Sequence, residues 1–158
     1  IKLGAFHEEK LVGVMTFSKN RGFNNKKTQN DTWELSRFAT ISNTYTPGLA
    51  SKMLKYFEKN YNWKEIYSYA DRKWSQGGLY YSLGFEFDSS TPPSYWYSKD
   101  GSSIRQHRYN YRKQNLKTLP NYSDEKTEKQ IMDELGYLRV YDCGNYKFIK
   151  KAPSEERA

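Results

Sequence analysis

Hydrophobic and polar positions repeat along this chain with two different periods, and each change of period marks an element. Residues 33–41, Trp-Glu-Leu-Ser-Arg-Phe-Ala-Thr-Ile, form a mostly apolar run of strand length bounded by polar residues. After a loop at 42–47 the spacing lengthens, and Leu49, Met53, Leu54 and Phe57 fall at i, i+4, i+5 and i+8, a helical stripe. A second strand is expected at 65–70, a short helix at about 75–83 with Gly84 as its stop, and a third strand at 85–87. Upstream, residues 1–6 and 10–17 are two apolar runs joined by His7-Glu8-Glu9, the pattern of a hairpin.

Beyond a turn-rich break at 89–93, residues 94–97 resume an extended pattern, and Asp100-Gly101 signals a tight hairpin. Its returning arm is expected at 103–111, with Arg105, His107, Tyr109 and Tyr111 on one face and Arg108, Asn110 and Arg112 on the other. Thr127 to Gln130 fits a capping box, Ile131, Leu135 and Leu138 carry the apolar pattern onward, and Gly136 ends that helix. Residues 137–141 and 146–149 then read as a last hairpin around Asp142-Cys143-Gly144-Asn145.

Alternating strands and helices imply an α/β fold with a partly parallel sheet, whose ligands sit beyond the carboxyl ends of the strands. The loop of small residues before the first helix leaves that helix's first N–H groups unpaired at the positive end of its dipole, ready for a phosphate or pyrophosphate. Lys52 adds a cation there.

Two stretches carry a family resemblance. Tyr45-Thr46-Pro47-Gly48-Leu49-Ala50 is similar to the pyrophosphate loop of the GNAT N-acyltransferases, Gln/Arg-x-x-Gly-x-Gly/Ala, with Tyr45 where that family has Gln or Arg. Leu79-Tyr80-Tyr81-Ser82-Leu83-Gly84-Phe85 resembles the family's Leu-Tyr-x-x-Leu-Gly-Phe helix. More narrowly, Glu34-Leu35-Ser36-Arg37 and Ser68-Tyr69-Ala70-Asp71 resemble the DNA-modifying Mom proteins of phages and the GNAT-like domains that accompany phage homing endonucleases. Residues 136–148 look like a segment that ends many proteins of the latter kind.

The resemblance implies a GNAT-like mixed central sheet over residues 1–98, a basic C-terminal extension of hairpin, helix and hairpin packed on it over 99–150, and a flexible tail at 151–158. It implies that the family's first strand and first two helices lie upstream of Ile1. The absence of an initiator Met agrees with a piece, or a trimmed form, of a longer protein. Acetyl-CoA or another acyl-CoA is the implied cofactor, held by Ala39, Ile41, Tyr45, Gly48, Leu49, Ala50, Ser51 and Lys52. DNA is the implied partner, and the cytoplasm of a phage-infected bacterium the implied location. Two functions compete: an acyl-CoA-dependent N-acyltransferase acting on DNA, and a non-catalytic DNA-binding module derived from one.

Composition narrows the partners. With 158 residues the chain can bury a real core; only 36% of it is hydrophobic, but 17% is aromatic, including 15 Tyr, so large rings supply much of the packing area and disorder is excluded. The net charge of +8 favours an anionic partner, and it is concentrated: residues 99–117 hold six Lys or Arg against one Asp, net +5. Arg105, His107, Arg108, Arg112 and Lys113, interleaved with Tyr, suit phosphate contact with base stacking, or else form a solvated charged hairpin. Residues 18–31 are polar and basic, a solvated connection or a phosphate-contacting arm. A single cysteine, Cys143, forms no internal disulfide and agrees with a reducing compartment; no apolar run approaches the ~20 residues of a membrane span.

Acyl transfer to an amine needs an acid for the leaving thiolate and a base for the amine. Tyr80 matches the GNAT tyrosine credited with protonating the thiolate; otherwise it is one aromatic among many, with Tyr81 as the neighbour that takes the role if the helix is rotated. Asp71, at a strand end, serves an acceptor amine or a base edge, or caps a turn. Arg37 sits in an apolar strand, with Leu35 and Ala39 on its face by simple alternation; it leaves the core, pairs with Glu34 or Asp71, or meets a ligand. The Mom resemblance implies an iron requirement, yet two distant histidines and one cysteine offer no metal-ligand spacing.

Overall fold

A computed structural model describes residues 1–19 and 31–153. In chain order the elements are β1 (Lys2–His7), β2 (Lys10–Lys19), β3 (Thr32–Thr40), α1 (Leu49–Asn60), β4 (Glu65–Asp71), α2 (Gly78–Ser82), β5 (Glu86–Ser90), β6 (Tyr95–Lys99), β7 (Gln106–His107), α3 (Glu128–Glu134), β8 (Tyr137–Tyr141) and β9 (Asn145–Lys151). They divide into two compact units, residues 1–91 with 145–158, and residues 92–144. Residues 20–30, most of the basic loop singled out above, lie outside the described residues.

The first unit is a six-stranded sheet in the order β1-β2-β3-β4-β9-β5. Glu8 and Glu9, both at positive φ (46° and 64°), make the tight turn of the β1–β2 hairpin. β3 and β4 run parallel, as their connection through α1 requires; the other neighbours are antiparallel. The stripe on α1 behaves as its spacing dictates: Met53, Leu54 and Phe57 are buried, and Phe57 stacks on Phe17 at 3.7 Å between ring centroids. α2 starts at Gly78, later than the sequence pattern implied, because Asp71 first closes a turn that takes the N–H groups of Trp74 and Ser75 on its carbonyl. Lys150 of β9 clamps the two helices, pairing with Glu58 of α1 at 2.6 Å and donating to the Leu83 carbonyl at 3.0 Å.

The second unit is a three-stranded sheet, β7-β6-β8, with α3 held by a capping box between Thr127 and Gln130. Tyr97, Leu116, Ile131 and Met132 form its core, and the Tyr95 and Tyr97 hydroxyls both donate to Glu128, at 2.9 and 2.8 Å.

Two readings of this part of the chain change. Asp100 and Gly101, at φ 49° and 73°, do make a tight turn, but the returning arm is a strand only at Gln106–His107. It then winds into 3₁₀ turns at Arg108–Tyr111 and Lys113–Asn115, so no alternating face joins Arg105 to Tyr111. The cause is the His107 ring, whose Nδ1 accepts from the Tyr109 N–H and caps the first turn, together with Tyr111, which packs edge-on to Tyr97 in the core. Residues 137–149 likewise do not fold back on themselves. β8 pairs with β6, and β9 crosses into the other sheet between β4 and β5, where seven pairs along β4 outweigh a local hairpin.

Candidate active site

The sheet has a gap. β3 and β4 pair only at Thr32↔Glu65, Trp33↔Ile66 and Glu34↔Tyr67, although both strands run on, to Thr40 and Asp71. Past Glu34 the two strands no longer share a ladder, and their carboxyl ends open onto the space that leads into α1.

A bulge accompanies the opening. β3 pairs with β2 as Phe17↔Leu35 and Thr16↔Arg37, so Ser36 is an extra residue. One inserted residue reverses the alternation. Leu35 is buried on the helix side, whereas Arg37 is exposed and turns to the opposite face with Thr16. Simple alternation had put Leu35, Arg37 and Ala39 together; the bulge separates Leu35 from the other two. Among the described residues Arg37 makes no ion pair with Glu34 or Asp71.

Two hydroxyls occupy the inner end of the gap. Ser68 is buried on β4, and its Oγ lies 2.7 Å from the Leu35 carbonyl oxygen and 3.0 Å from the Tyr80 hydroxyl. The Tyr80 hydroxyl in turn lies 3.1 Å from the Tyr69 carbonyl. The Tyr80 ring is fixed by stacking on Phe148 at 5.0 Å and 18°, and edge-on to Phe85 at 5.8 Å. Tyr81, the alternative, is more exposed, and its ring meets the Phe148 edge instead.

The pyrophosphate-type loop sits where β3 ends. Gly48 caps α1 at φ 71°, a left-handed conformation, with no side-chain cap. The Leu49 N–H donates to the Thr46 carbonyl and the Lys52 N–H to that of Gly48. The N–H groups of Gly48, Ala50 and Ser51 have no acceptor among the described residues. A Cβ on Gly48 would meet nothing within 4 Å, so the chain is open on that side of the turn. Tyr45 is 90% exposed, and Ala39 and Ile41 are exposed at the strand end. Lys52 and Leu49 line two cavities of about 370 Å³ each, one against Lys2 to Ala5 of β1 and one against His7, Thr44 and Tyr45. These residues fit an acyl-CoA: unpaired donors and a cation for a pyrophosphate, beside apolar walls.

Asp71 is at the carboxyl end of β4, where its Oδ1 accepts from the Lys73 N–H at 2.8 Å. Alternation along β4 buries Ile66, Ser68 and Ala70 and turns Tyr67, Tyr69 and Asp71 to the other face, the face of Arg37. Asp71 and Tyr80 are therefore not in contact. Glu34 lies 3.5 Å from the Tyr67 hydroxyl, and burial, then the Glu34 charge, push that phenol up to about 12.

Of the basic residues singled out in the second unit, Arg108 lies over the Tyr95 ring at 5.0 Å, Arg112 over Tyr109 at 4.0 Å, and Lys113 donates to the Asp124 carbonyl at 2.5 Å. His107 is a cap, and Arg105 is exposed with no partner among the described residues. Also among the described residues, no group of three or more His, Cys, Asp or Glu side chains is placed to hold a metal ion. No described helix is long and apolar enough to cross a membrane.

The sequence model of the Mom protein family matches residues 1–154. The chain belongs to the Mom protein family. Its fold is that of the GNAT acetyltransferases. An acetyltransferase of the GNAT family from Bacillus cereus superposes with a TM-score of 0.50 at 14% identity, covering 96% of this Mom-family chain and 70% of the other. A Bacillus subtilis acetyltransferase in complex with CoA gives 0.51 at 13% identity, covering 96% and 76%. At such identities the likeness is one of fold. No curated protein matches the sequence.

In the sequence Ser68 stands out only as the first residue of the Ser68-Tyr69-Ala70-Asp71 motif, with no role of its own. The available signal was a hydroxyl at a buried position of an otherwise apolar alternation, Ile66-x-Ser68-x-Ala70.

Proposed function

We propose that this Mom-family chain is an acyl-CoA-dependent N-acyltransferase that acts on DNA. The observation that carries it is the combination, in one sheet, of three unpaired N–H groups at the α1 N-terminus and a parallel strand pair that opens to admit the Tyr80 hydroxyl. The first feature is suited to a pyrophosphate, the second to a reacting group. The B. subtilis neighbour, which holds CoA, supports the choice of ligand. Family membership supports DNA as the acceptor.

In this reading the acyl-CoA supplies the thioester that is attacked. Gly48, Ala50 and Ser51 bind the pyrophosphate through their N–H groups, and Lys52 offsets its charge. Tyr80 holds a proton for the departing sulphur. Arg37 and Asp71 lie on the sheet face opposite to Ser68, so the acceptor approaches from that face and meets the donor in the gap. Asp71 receives the proton that the amine nitrogen sheds.

The test is to incubate the protein with acetyl-CoA and duplex DNA and to analyse the digested nucleosides by mass spectrometry. One nucleoside heavier by the transferred acyl group is expected. Calorimetry showing no binding of acetyl-CoA or CoA overturns the reading in favour of a non-catalytic DNA-binding module. The cluster of Lys and Arg at 99–117 favours that second reading, since it serves DNA contact without any transfer.

A further inference from the structure

Tyr80 has a partner that the acyl-transfer reading does not use. Three contacts among two hydroxyls and two carbonyls share only two protons: Ser68 Oγ to the Leu35 carbonyl at 2.7 Å, Ser68 Oγ to the Tyr80 oxygen at 3.0 Å, and Tyr80 to the Tyr69 carbonyl at 3.1 Å. One contact is always without its proton. The Ser68 proton can therefore point at Leu35 or at Tyr80, by turning about the Cβ–Oγ bond alone.

We propose that Ser68 is a positioning residue that stabilises Tyr80 after it has given up its proton. The proposal rests on the acyltransferase reading. While Tyr80 is neutral, its own proton goes to the Tyr69 carbonyl and that of Ser68 to the Leu35 carbonyl, the shortest of the three contacts. When the acceptor nitrogen bonds to the acyl carbon and the carbon–sulphur bond breaks, the sulphur takes the Tyr80 proton and leaves as a thiol. The phenolate then needs a donor, and Ser68 is the nearest. Its hydroxyl swings from Leu35 to the phenolate oxygen, a charge-assisted hydrogen bond of roughly twice the usual strength. The proton shed by the acceptor nitrogen reaches the phenolate through Asp71 and solvent, and Ser68 returns to Leu35. Every proton is accounted for, and no further reactant enters.

The placement suits this role. Ser68 is only 2% exposed, so water does not compete for its proton. The Tyr80 ring cannot drift away, because Phe148 and Phe85 hold it on two sides. The gap between β3 and β4 is also what leaves a hydroxyl room to turn, since no ladder bond joins the strands there.

The test compares the wild type with Ser68→Ala, Ser68→Thr, Tyr80→Phe and the double variant Ser68→Ala/Tyr80→Phe. In steady-state transfer from acetyl-CoA, Ser68→Ala should lower kcat by about 10-fold at unchanged KM for acetyl-CoA, and Ser68→Thr should restore it, because one charge-assisted hydrogen bond is lost and regained. In the Tyr80→Phe background, Ser68→Ala should cost nothing more. A second readout needs no turnover: alkaline titration of ¹³C-labelled Tyr80, followed by NMR in the ligand-free protein. Removing a donor to the charged form should move its midpoint up by roughly one unit in Ser68→Ala and leave it in place in Ser68→Thr. An unmoved midpoint, or an equal loss of turnover with and without Tyr80, overturns the proposal and leaves Ser68 as a tie to Leu35. If Ser68→Ala does not fold, a wild-type midpoint in Ser68→Cys, whose thiol is a weak donor, overturns it equally. If the wild type transfers nothing, the acyltransferase reading falls, and the titration alone decides whether Ser68 serves the Tyr80 phenolate.

Discussion

Gly77 lies so close to Phe148 that a Cβ on it would overlap the ring at Cζ. The same ring carries Tyr80 in a stack, so the approach of the α2 N-terminus to β9 sets where the Tyr80 hydroxyl stands. Gly77 also adopts φ 88°, which an alanine reaches only with strain. Gly77→Ala should therefore destabilise the protein by about 2–4 kcal/mol, from overpacking and backbone strain together, read as a lower denaturant midpoint. A change below about 1 kcal/mol would mean that Phe148 moves freely and that Tyr80 is not held by it.

Gly48 gives the opposite case, with open space in front of it and φ 71° behind it. Gly48→Gln should cost only about 1–2 kcal/mol of stability while its side chain covers the unpaired N–H groups. Calorimetry should find acetyl-CoA binding abolished and the fold intact by circular dichroism. Undiminished binding would move the cofactor away from this loop.

For the chemistry, Tyr80→Phe should reduce turnover by about 10²-fold with little change in acetyl-CoA affinity. Asp71→Asn is a clean companion, because the amide oxygen can still accept from the Lys73 N–H and keep the turn. It should lower turnover by about 10²-fold with little change in acetyl-CoA affinity. Turnover equal to the wild type's makes Asp71 a turn cap and nothing more.

Arg105 and Arg112 are the basic residues to test against DNA: Arg105 has no partner among the described residues and Arg112 lies over the exposed Tyr109, whereas Lys113 serves the Asp124 carbonyl and Arg108 lies over the half-buried Tyr95. If both contact phosphates, the double alanine variant should flatten the slope of log K against log salt by roughly two units. An unchanged slope places the DNA surface elsewhere.

Stability at high pH is set partly by Tyr67. Burial and the Glu34 carboxylate raise its phenol from 10.0 to about 12, so the folded state favours the neutral form. Its contribution is complete below pH 10 and is lost as the pH rises through about 12. Urea midpoints should be flat up to about pH 10 and then fall, and Tyr67→Phe should make that fall shallower. A steeper fall in the variant would reverse the sign assigned to this group.

The local chemistry of the sequence determined a good part of this protein. The i, i+4, i+5, i+8 stripe fixed which face of α1 is buried, Thr127 and Gln130 fixed the start of α3, and the bare glycine before Leu49 fixed the open helix end. Each depends on residues within a turn or two, so spacing alone reveals it. The tertiary structure decided what depends on pairing between distant strands. Whether β9 turns back on β8 or inserts between β4 and β5 is settled by partners some 60 and 80 residues away, and the local turn signal is the same in both cases. The bulge at Ser36 cannot be read from β3 by itself, because it exists only in register with β2, yet it sends Arg37 through the sheet to the face of Asp71. The site arises the same way: Leu35, Ser68 and Tyr80 come from three elements, and they meet because β3 and β4 stop pairing after Glu34 and leave a gap in which the Ser68 and Tyr80 hydroxyls lie.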